Sequence, residues 1–199
     1  MKRMIKTGMV AMLAGISLLA CTSRMAAPKP RLGSPVHHAE NGFILLDMEK
    51  IDAAFREFKM ATEIDPGYSA AYLGMGLVHA FRGEYAKGRI ALETAYLNAA
   101  DRNQQVAALA GLIRFYTIGN MRIKSEWLSE AEQAFQRAQT LDPEAPAPHF
   151  YMGVAYKKAG RYDAAEKAFI RVFEIGKGFV EAADREYTAL QRLKVTLPR

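Results

Sequence analysis

One cysteine and four histidines are the side chains in this 199-residue sequence whose types suit thiol or metal chemistry. Cys21 has no second cysteine to pair with, so it forms no disulfide within the chain. It stands in the segment LLACTS at 18–23, directly after an apolar run near the start. Any reaction of this thiol within the chain therefore involves one cysteine alone, at the end of an apolar segment.

The histidines do not form a predicted metal site. His79 and His149 fall at aromatic positions of the repeats described below, so we expect both to pack. His37 and His38 are adjacent, and neighbours on a helix point in different directions. The carboxylates are dispersed in the manner of helix-surface charges, and no glycine-rich phosphate loop has the required spacing. We expect no metal, no cofactor and no enzymatic activity.

The first twenty residues have the layout of an export signal. Lys2, Arg3 and Lys6 give a basic head, and residues 8–20 are uncharged. This run is shorter than the roughly 20 apolar residues that span a membrane. We predict a signal peptide over 1–20 and a flexible tether, rich in Pro and small residues, over 21–34.

Leu18, Leu19, Ala20 and Cys21 resemble the lipobox of bacterial lipoproteins. In that family the signal is removed before the cysteine, which is then acylated with fatty acids such as palmitate. The resemblance implies lipidation at Cys21 and contact with a membrane through this anchor alone. Thr22, in place of an Asp, favours the periplasmic face of the outer membrane. An ordinary secreted protein and an uncleaved anchor are the alternatives.

The net charge depends on whether the signal is counted. The whole chain carries +6, from 27 basic and 21 acidic residues. Without residues 1–20 it keeps 24 basic and 21 acidic residues, a net charge of about +3. Much of the basic character thus belongs to the signal, and we expect no nucleic-acid partner.

Internal repeats occupy the rest of the chain. The segment YLGMGLVHAFRGEY at 72–85 returns as HFYMGVAYKKAGRY at 149–162, an offset of 77 residues. A second offset, 34 residues, relates Gly42 to Gly76 and Phe58 to Leu92. Since 77 is twice 34 plus 9, the sequence contains four units, with a nine-residue insertion in the third.

Small and large residues alternate within each unit at helical spacing. Small residues let two helices approach closely, and large ones such as Phe58 fill the space between them. Gly83 and Gly160 stand where a first helix must end, because glycine tolerates the left-handed conformation. No unit can bury its own apolar face, so the units must stack.

This pattern resembles the tetratricopeptide repeat, a helix–turn–helix unit of 34 residues. The resemblance implies an all-α, right-handed solenoid of about four helix pairs with a C-terminal capping helix. The predicted units are 35–68, 69–102, 103–145 (with the insertion) and 146–178, followed by the capping helix and tail over 179–199.

In this family the first helices of the units line a concave groove that binds proteins or peptides. Basic residues gather toward one end of the predicted groove, which suits an amphipathic helix or an extended peptide with an acidic flank. The alternative is that these side chains pack between units or against the C-terminal helix. The residues carried over are Phe43, Leu73, Leu77, Phe81, Arg114, Phe115, Phe150, Val154, Lys157 and Lys158.

The insertion is predicted to lie around YTIGNMRIKSEW at 116–127, between the two helices of the third unit. It offers a possible second binding surface, formed by Met121, Ile123 and Trp127. Trp127 is the only tryptophan, and tryptophan is enriched at binding hot spots. Packing of Trp127 on its own repeat is the other interpretation.

Together these features predict a periplasmic scaffold for protein–protein interaction. Its layout resembles the pilotin-type lipoproteins that assist assembly of a pilus or secretion pore. It is also similar to adaptors of peptidoglycan-processing enzymes. A third hypothesis is a scaffold that associates with copies of itself.

Overall fold

The protein is described here by a computed structural model that covers residues 33–123 and 125–196, so the predicted signal, Cys21 and nearly all of the tether lie outside it. Across these residues the chain forms helices and no strand, which confirms the predicted all-α class. The helices are α1 (Pro35–Asp47), α2 (Ile51–Ile64), α3 (Ser69–Phe81), α4 (Tyr85–Leu97), α5 (Arg102–Gly119), a 3-10 helix (Asn120–Arg122), α6 (Trp127–Leu141), α7 (Pro146–Lys158), α8 (Tyr162–Ile175) and α9 (Val180–Thr196).

The helices pack as successive pairs. α1 pairs with α2, α3 with α4, α5 with α6 and α7 with α8, and the first helix of each pair also contacts the first helix of the next. α9 packs on α8 and α7, burying Ala183 and Leu190. Within the described part of the chain, no helix is long and apolar enough to span a bilayer. The first helices therefore form one side of the stack, and α9 covers its last pair.

Aromatic rings of the second helices fit against glycines of the first helices. The Phe58 ring of α2 is fully buried, and an added Cβ at Gly42 of α1 or Gly74 of α3 would overlap it. The ring of Phe169 in α8 meets Gly153 of α7 in the same way. Packing at this density leaves no room for a methyl group, so glycine at these positions sets the distance between the helices.

Three core clusters follow one another along the stack. The first joins α1, α2 and α3 around Phe58, and the second joins α3 to α7 around Leu109 and Ile113. The third joins α7, α8 and α9 around Phe169 and Leu190. Each cluster shares a first helix with the next, so the stack has a continuous core.

The third pair departs from the predicted outline at its first helix. The insertion was expected to lie between the two helices from about residue 116, but residues 116–119 belong to α5. α5 ends at Gly119, and the 3-10 helix begins at the next residue, Asn120, whose φ is 39°. The side chains of Tyr116 and Thr117 are buried, so the extra turn of α5 is stabilised by packing.

The turn between α1 and α2 has a glutamate where the turns after α3 and α7 have a glycine, and we expect this glutamate to lower the stability of the fold. Glu49 adopts a φ of 58° at the position where Gly83 and Gly160, with φ of 75° and 74°, end α3 and α7. A side chain in this left-handed region costs about 1 kcal/mol relative to glycine. We predict that Glu49→Gly raises the free energy of unfolding by about 1 kcal/mol in urea denaturation. Gly83→Ala is the matched control and should lower it by a similar amount; an unchanged stability in both would contradict the prediction.

Candidate functional site: an inner cleft

A cleft of about 600 Å³ opens on the side of the stack formed by the first helices, and residues of α5, α7 and α9 line it. We call it the inner cleft. Both aromatic and charged side chains line it. Its lining residues are Asp47 of α1, Arg114, Thr117 and Ile118 of α5, Phe150, Tyr151, Val154 and Lys158 of α7, and Phe179, Ala182, Arg185 and Glu186 at and within α9.

Arg114 of α5 contacts the three other first helices, α1, α3 and α7, at the edge of the inner cleft. Its guanidinium lies 5.9 Å from the Phe81 ring centroid and 5.6 Å from that of Tyr151. An Nη atom lies 3.8 Å from the Asp47 carboxylate, which is 75% exposed. An ion pair this exposed and this long contributes little to stability. The two rings thus orient Arg114, while its charge is only weakly neutralised and can interact with an anion.

The aromatic wall is formed where α7 meets the start of α9. Phe150 stacks on Phe179 with ring centroids 5.0 Å apart, and Tyr151 meets both rings edge-on. Burial raises the pKa of the Tyr151 hydroxyl above its ordinary value, so this group stays neutral and can donate a hydrogen bond at neutral pH. The wall offers a flat apolar surface with one polar group beside Arg114.

The cleft also carries lysine and arginine side chains. Lys158 donates a 2.8 Å hydrogen bond to the Thr117 carbonyl oxygen. Burial of its ammonium group, assisted by the positive charge of Arg122, lowers the pKa of Lys158 below its ordinary value. Lys157 forms an ion pair with Glu186. Arg185 is exposed and has no ion-pair partner among the described residues.

The cleft therefore carries more positive than negative charge. Glu186 is neutralised by Lys157, and Asp47 is only loosely paired with Arg114. Lys158 and Arg185 remain without a carboxylate partner in the described part of the chain. A carboxylate of a bound molecule would meet net positive charge here, and an apolar group would meet the aromatic wall.

The structure separates the predicted groove residues into two groups. Arg114, Phe150, Val154 and Lys158 line the inner cleft, and Lys157 lies beside it through its ion pair with Glu186. Phe81 is 44% exposed and touches the cleft through Arg114.

Four of the predicted groove residues pack within the stack instead. Phe115 and Leu77 are buried in core clusters, so their assignment to an open groove is wrong. Phe43 packs edge-on against Phe58, and Leu73 packs against Gly111. Phe150, although it lines the cleft, also contacts Phe169 in the core, so substitution there disturbs packing as well as binding.

The predicted second surface at the insertion is also wrong in its main residue. Trp127 begins α6 and is buried in the second core cluster. Ile123 is half-buried and packs on that cluster, close to Gly119. The side chain of Met121 lies outside the part that the structure describes. The tryptophan is accordingly a packing residue.

Several residues of the cleft were missed by the sequence reasoning. Tyr151 was passed over because only certain positions of each repeat were carried to the groove, and Ile118 because it lies in the extra turn of α5. Phe179, Arg185 and Glu186 come from the capping helix, which has no counterpart in the other units. For Arg185 and Glu186, the one available signal was their place off the buried face of an amphipathic helix.

The histidines take structural roles. His149 is buried and its Nε2 donates a 3.2 Å hydrogen bond to the Pro143 carbonyl oxygen, and Tyr72 donates a 2.9 Å hydrogen bond to the Pro66 carbonyl oxygen at the equivalent position. His79 contacts Glu84 at 2.6 Å. Among the described residues, no group of three or more His, Cys, Asp or Glu side chains is placed to hold a metal ion.

His149 should make the stability of the protein depend on pH. Burial lowers its pKa below the ordinary 6.5. Its contribution to stability is therefore complete above pH 6.5 and is lost as the pH falls through the lower pKa of the folded state, because the unfolded chain takes up the proton more readily. His149→Tyr copies the hydrogen bond of Tyr72 without a titrating ring. We predict that wild type loses more stability than His149→Tyr between pH 7.5 and pH 5.5 in urea denaturation; equal losses would contradict this.

Comparison with known proteins agrees with this architecture. A family model described as "Tetratricopeptide repeat" matches residues 124–192, which extend from the end of the insertion into α9. Together with the repeated helix pairs, this match shows that the chain contains tetratricopeptide repeats. Proteins built from such repeats are generally non-enzymatic scaffolds for protein–protein interaction, and this is the class of function that the fold implies.

Several solved structures are similar to this chain. YrrB, described as a "TPR protein with an unusual peptide-binding site", is 19% identical over 80% of this chain and 77% of its own, with a TM-score of 0.43. MamA from AMB-1 is 20% identical over 82% and 86%, with a TM-score of 0.43. PilF of Pseudomonas aeruginosa is 14% identical over 82% and 93%, with a TM-score of 0.34. No curated protein matches the sequence.

Proposed function

We propose that this protein is a lipid-anchored scaffold at the periplasmic face of the outer membrane, and that its inner cleft binds a partner protein. The observation that carries the binding proposal is the pairing of an aromatic wall with the cations Arg114, Lys158 and Arg185 in one cleft. The ligand is a peptide segment with an apolar side chain next to a carboxylate. The apolar group packs on Phe150 and Phe179, and the carboxylate accepts hydrogen bonds from Arg114 and the Tyr151 hydroxyl.

The anchoring part of the proposal rests on the lipobox-like segment ending at Cys21. We predict that the wild-type chain incorporates radiolabelled or clickable palmitate in bacterial cells and that Cys21→Ser abolishes the label. The same variant should move from the membrane to the soluble fraction, because one or more acyl chains no longer hold it. Label that persists on Cys21→Ser would show that the start of the chain was misinterpreted.

Photo-crosslinking in living cells tests the binding proposal. A photoreactive amino acid at Ala182 faces the inner cleft, whereas one at the exposed Lys87 on α4 serves as the matched control. We expect a discrete adduct from position 182 that is absent from position 87. The adduct should disappear when Arg114→Glu is added. Identical adduct patterns from both positions would contradict binding in the cleft.

The identity of that partner decides between two roles. A subunit of a pilus or secretion pore would support a part in assembly, and a peptidoglycan-processing enzyme would support an adaptor. Both roles use the same cleft chemistry.

Self-association is a second candidate function, favoured by one stripe of α4. Ile90 and Leu97 are largely exposed on one side of α4, together with Ala86. The adjacent Arg89–Glu93 pair carries both charge signs, as a surface that meets its own copy requires. The equivalent positions elsewhere are polar: Asp52, Arg56 and Glu63 in α2, Ser129, Gln133 and Thr140 in α6, and Asp163, Lys167 and Glu174 in α8.

Sedimentation velocity separates this alternative from the first proposal. A dimer at tens of micromolar that Leu97→Glu converts to a monomer would support self-association through α4. A wild-type monomer over the same concentrations would exclude it. Either outcome leaves the proposal for the inner cleft unchanged, since the α4 stripe and the cleft share no residue.

A further inference from the structure

The last helix, α9, is held by less apolar burial than the helices before it. Of its 17 residues, two are buried, Ala183 and Leu190. α2, which has the next smallest buried share among the described α-helices, buries three of 14, and α8, against which α9 packs, buries four of 14. Elements with few buried apolar contacts open most readily. α9 is therefore the helix that can leave its place at the lowest cost.

A single carboxylate on α8 receives three hydrogen bonds from α9. The Tyr187 hydroxyl donates to Glu166 Oε1 at 3.1 Å, and the Gln191 side-chain amide donates to the same oxygen at 2.7 Å. Lys194 donates to Glu166 Oε2 at 2.7 Å and to Asp163 at 2.8 Å. The three donors are four and three residues apart, so they share one face of α9. Glu166 thus holds the C-terminal half of the helix.

The contacts at Glu166 depend on its charge. The hydrogen bond from Lys194 is the main cause that keeps the pKa of Glu166 below its ordinary value, so this carboxylate is ionised at neutral pH. Its side chain is 26% exposed and that of Lys194 is 32% exposed, so water screens the pair only in part. A neutral side chain of the same shape at position 166 would lose most of the attraction to Lys194.

The connection between α8 and α9 contains two glycines. Residues 176–179 join the end of α8 to the start of α9. Gly176 and Gly178 have φ of 67° and 60°, in the left-handed region that glycine adopts about as readily as the other regions. Hinges are short connections of this kind, in which a few residues absorb a change in φ and ψ. The connection therefore permits α9 to swing as one body.

α9 presents another face to the inner cleft. The residues of α9 that line the cleft are Ala182, Arg185 and Glu186. Glu186 forms an ion pair with Lys157 of α7, which is the contact of α9 on the side of the cleft. Because the helix is one continuous element, the hydrogen bonds at Glu166 also fix where Arg185 lies. Loss of these bonds would move a cation of the cleft without changing any residue that lines it.

We propose that α9 is a movable side of the inner cleft, hinged at residues 176–179 and held in the closed position by Glu166 of α8. The inference rests on the proposed function, because the molecule on which α9 closes is the partner segment bound in the cleft. Opening of α9 admits this segment, and closing brings Arg185 to its carboxylate. Glu166 is a positioning residue, since it contacts α9 and lies outside the residues that line the cleft.

Hydrogen exchange of the full chain, read by mass spectrometry, tests the movement without a ligand. We expect amides of α9 to exchange at least tenfold faster than those of α8. Glu166→Gln should accelerate exchange in α9 at least another tenfold and leave α5 unchanged. Lys194→Gln removes the same contact from the side of α9 and should have the same effect. Glu174→Gln is the matched control, since Glu174 lies on α8 but pairs with Arg171 of its own helix.

A defined peptide then connects the movement to binding. The probe is a fluorescein-labelled peptide of alternating leucine and glutamate, eight residues long, and its binding is measured by fluorescence anisotropy. Glu166→Gln should weaken this binding at least fivefold, whereas Glu174→Gln should leave it unchanged. Saturating peptide should also slow the exchange of wild-type α9, because the bound segment favours the closed position.

Two results would overturn the inference. Exchange in α9 that is as slow as in α8, in wild type and in Glu166→Gln, would mean that α9 is a fixed part of the stack. Equal peptide affinity in wild type and Glu166→Gln, with faster exchange in the variant, would mean that α9 moves without forming part of the binding site. A wild-type chain that binds no peptide would instead contradict the proposed cleft ligand, and the exchange rates alone would still decide whether α9 moves.

Discussion

Phe58→Ala is expected to lower the free energy of unfolding by about 3–5 kcal/mol, the range for removing a fully buried aromatic ring. The ring lies between Gly42 and Gly74 and meets Phe43 edge-on at 5.0 Å. It therefore fills the space between two successive repeats, and glycine neighbours have no side chains that could move into the cavity. Denaturation in urea, followed by the helical circular dichroism signal, measures the loss.

Phe81→Ala is the control for this prediction. Phe81 is a phenylalanine of a neighbouring repeat that is 44% exposed, so its loss should cost less than about 1 kcal/mol. If the two variants were equally stable, Phe58 would not hold the first two repeats together and the assignment of the first core cluster would be wrong.

Arg114→Glu is expected to weaken ligand binding in the inner cleft by about 30-fold or more. Loss of one partner of a buried, hydrogen-bonded charge pair costs at least about 2 kcal/mol, and 1.4 kcal/mol corresponds to tenfold in affinity. The substitution also places a negative charge where the ligand carboxylate binds. A peptide selected by display against the full chain, and containing an apolar residue next to a carboxylate, provides the ligand for fluorescence anisotropy.

Two comparisons separate this effect from unfolding or nonspecific electrostatics. Arg89→Glu reverses an exposed charge on α4, away from the cleft, and should leave the affinity unchanged. Lys158→Glu changes a second cleft cation and should weaken binding with the fold retained in the melting curve. Wild-type affinity should also fall as salt is added. Equal losses for Arg114→Glu and Arg89→Glu would refute the assigned site.

The helix pairs could be predicted because each repeat needs a small residue at the same position for its two helices to pack closely. Gly42, Gly76 and Gly153 recur at fixed offsets, since an added side chain at each would overlap Phe58, Leu92 or Phe169. Such contacts depend on residues close in sequence, and this is the information that spacing carries. The turn residues Gly83 and Gly160 follow from the same local requirement.

The cleft could be predicted only in part, because its form depends on contacts between repeats. Phe115 was assigned to the groove by its position, but an added Cβ at Gly88 of α4 would meet its ring, so the ring occupies space that a side chain there would fill. The other repeats carry Ala54, Ala131 and Ala165 at this position. Because position 88 is a glycine, the Phe115 ring has room to pack in the core.

Trp127 and the α9 residues were misjudged for a related reason. The extra turn of α5 supplies Tyr116, which lies in the same core cluster as Trp127, and no other repeat contains that turn. Arg185 and Glu186 reach the cleft because α9 packs beside α7, a contact that the repeat period does not include. Departures from the repeat therefore determine where the cleft lies.

The contacts between helices also bear on how the chain folds. Among the described elements, each helix packs against helices that lie one or two places away along the sequence, and the long Arg114–Asp47 ion pair reaches further. Local topology of this kind lowers the entropy cost of closing the chain and permits rapid folding. A repeat can form as soon as its two helices and the next first helix are present, whichever end of the chain becomes available first. The protein is therefore suited to folding progressively as its chain emerges from a narrow channel, without waiting for its C-terminus.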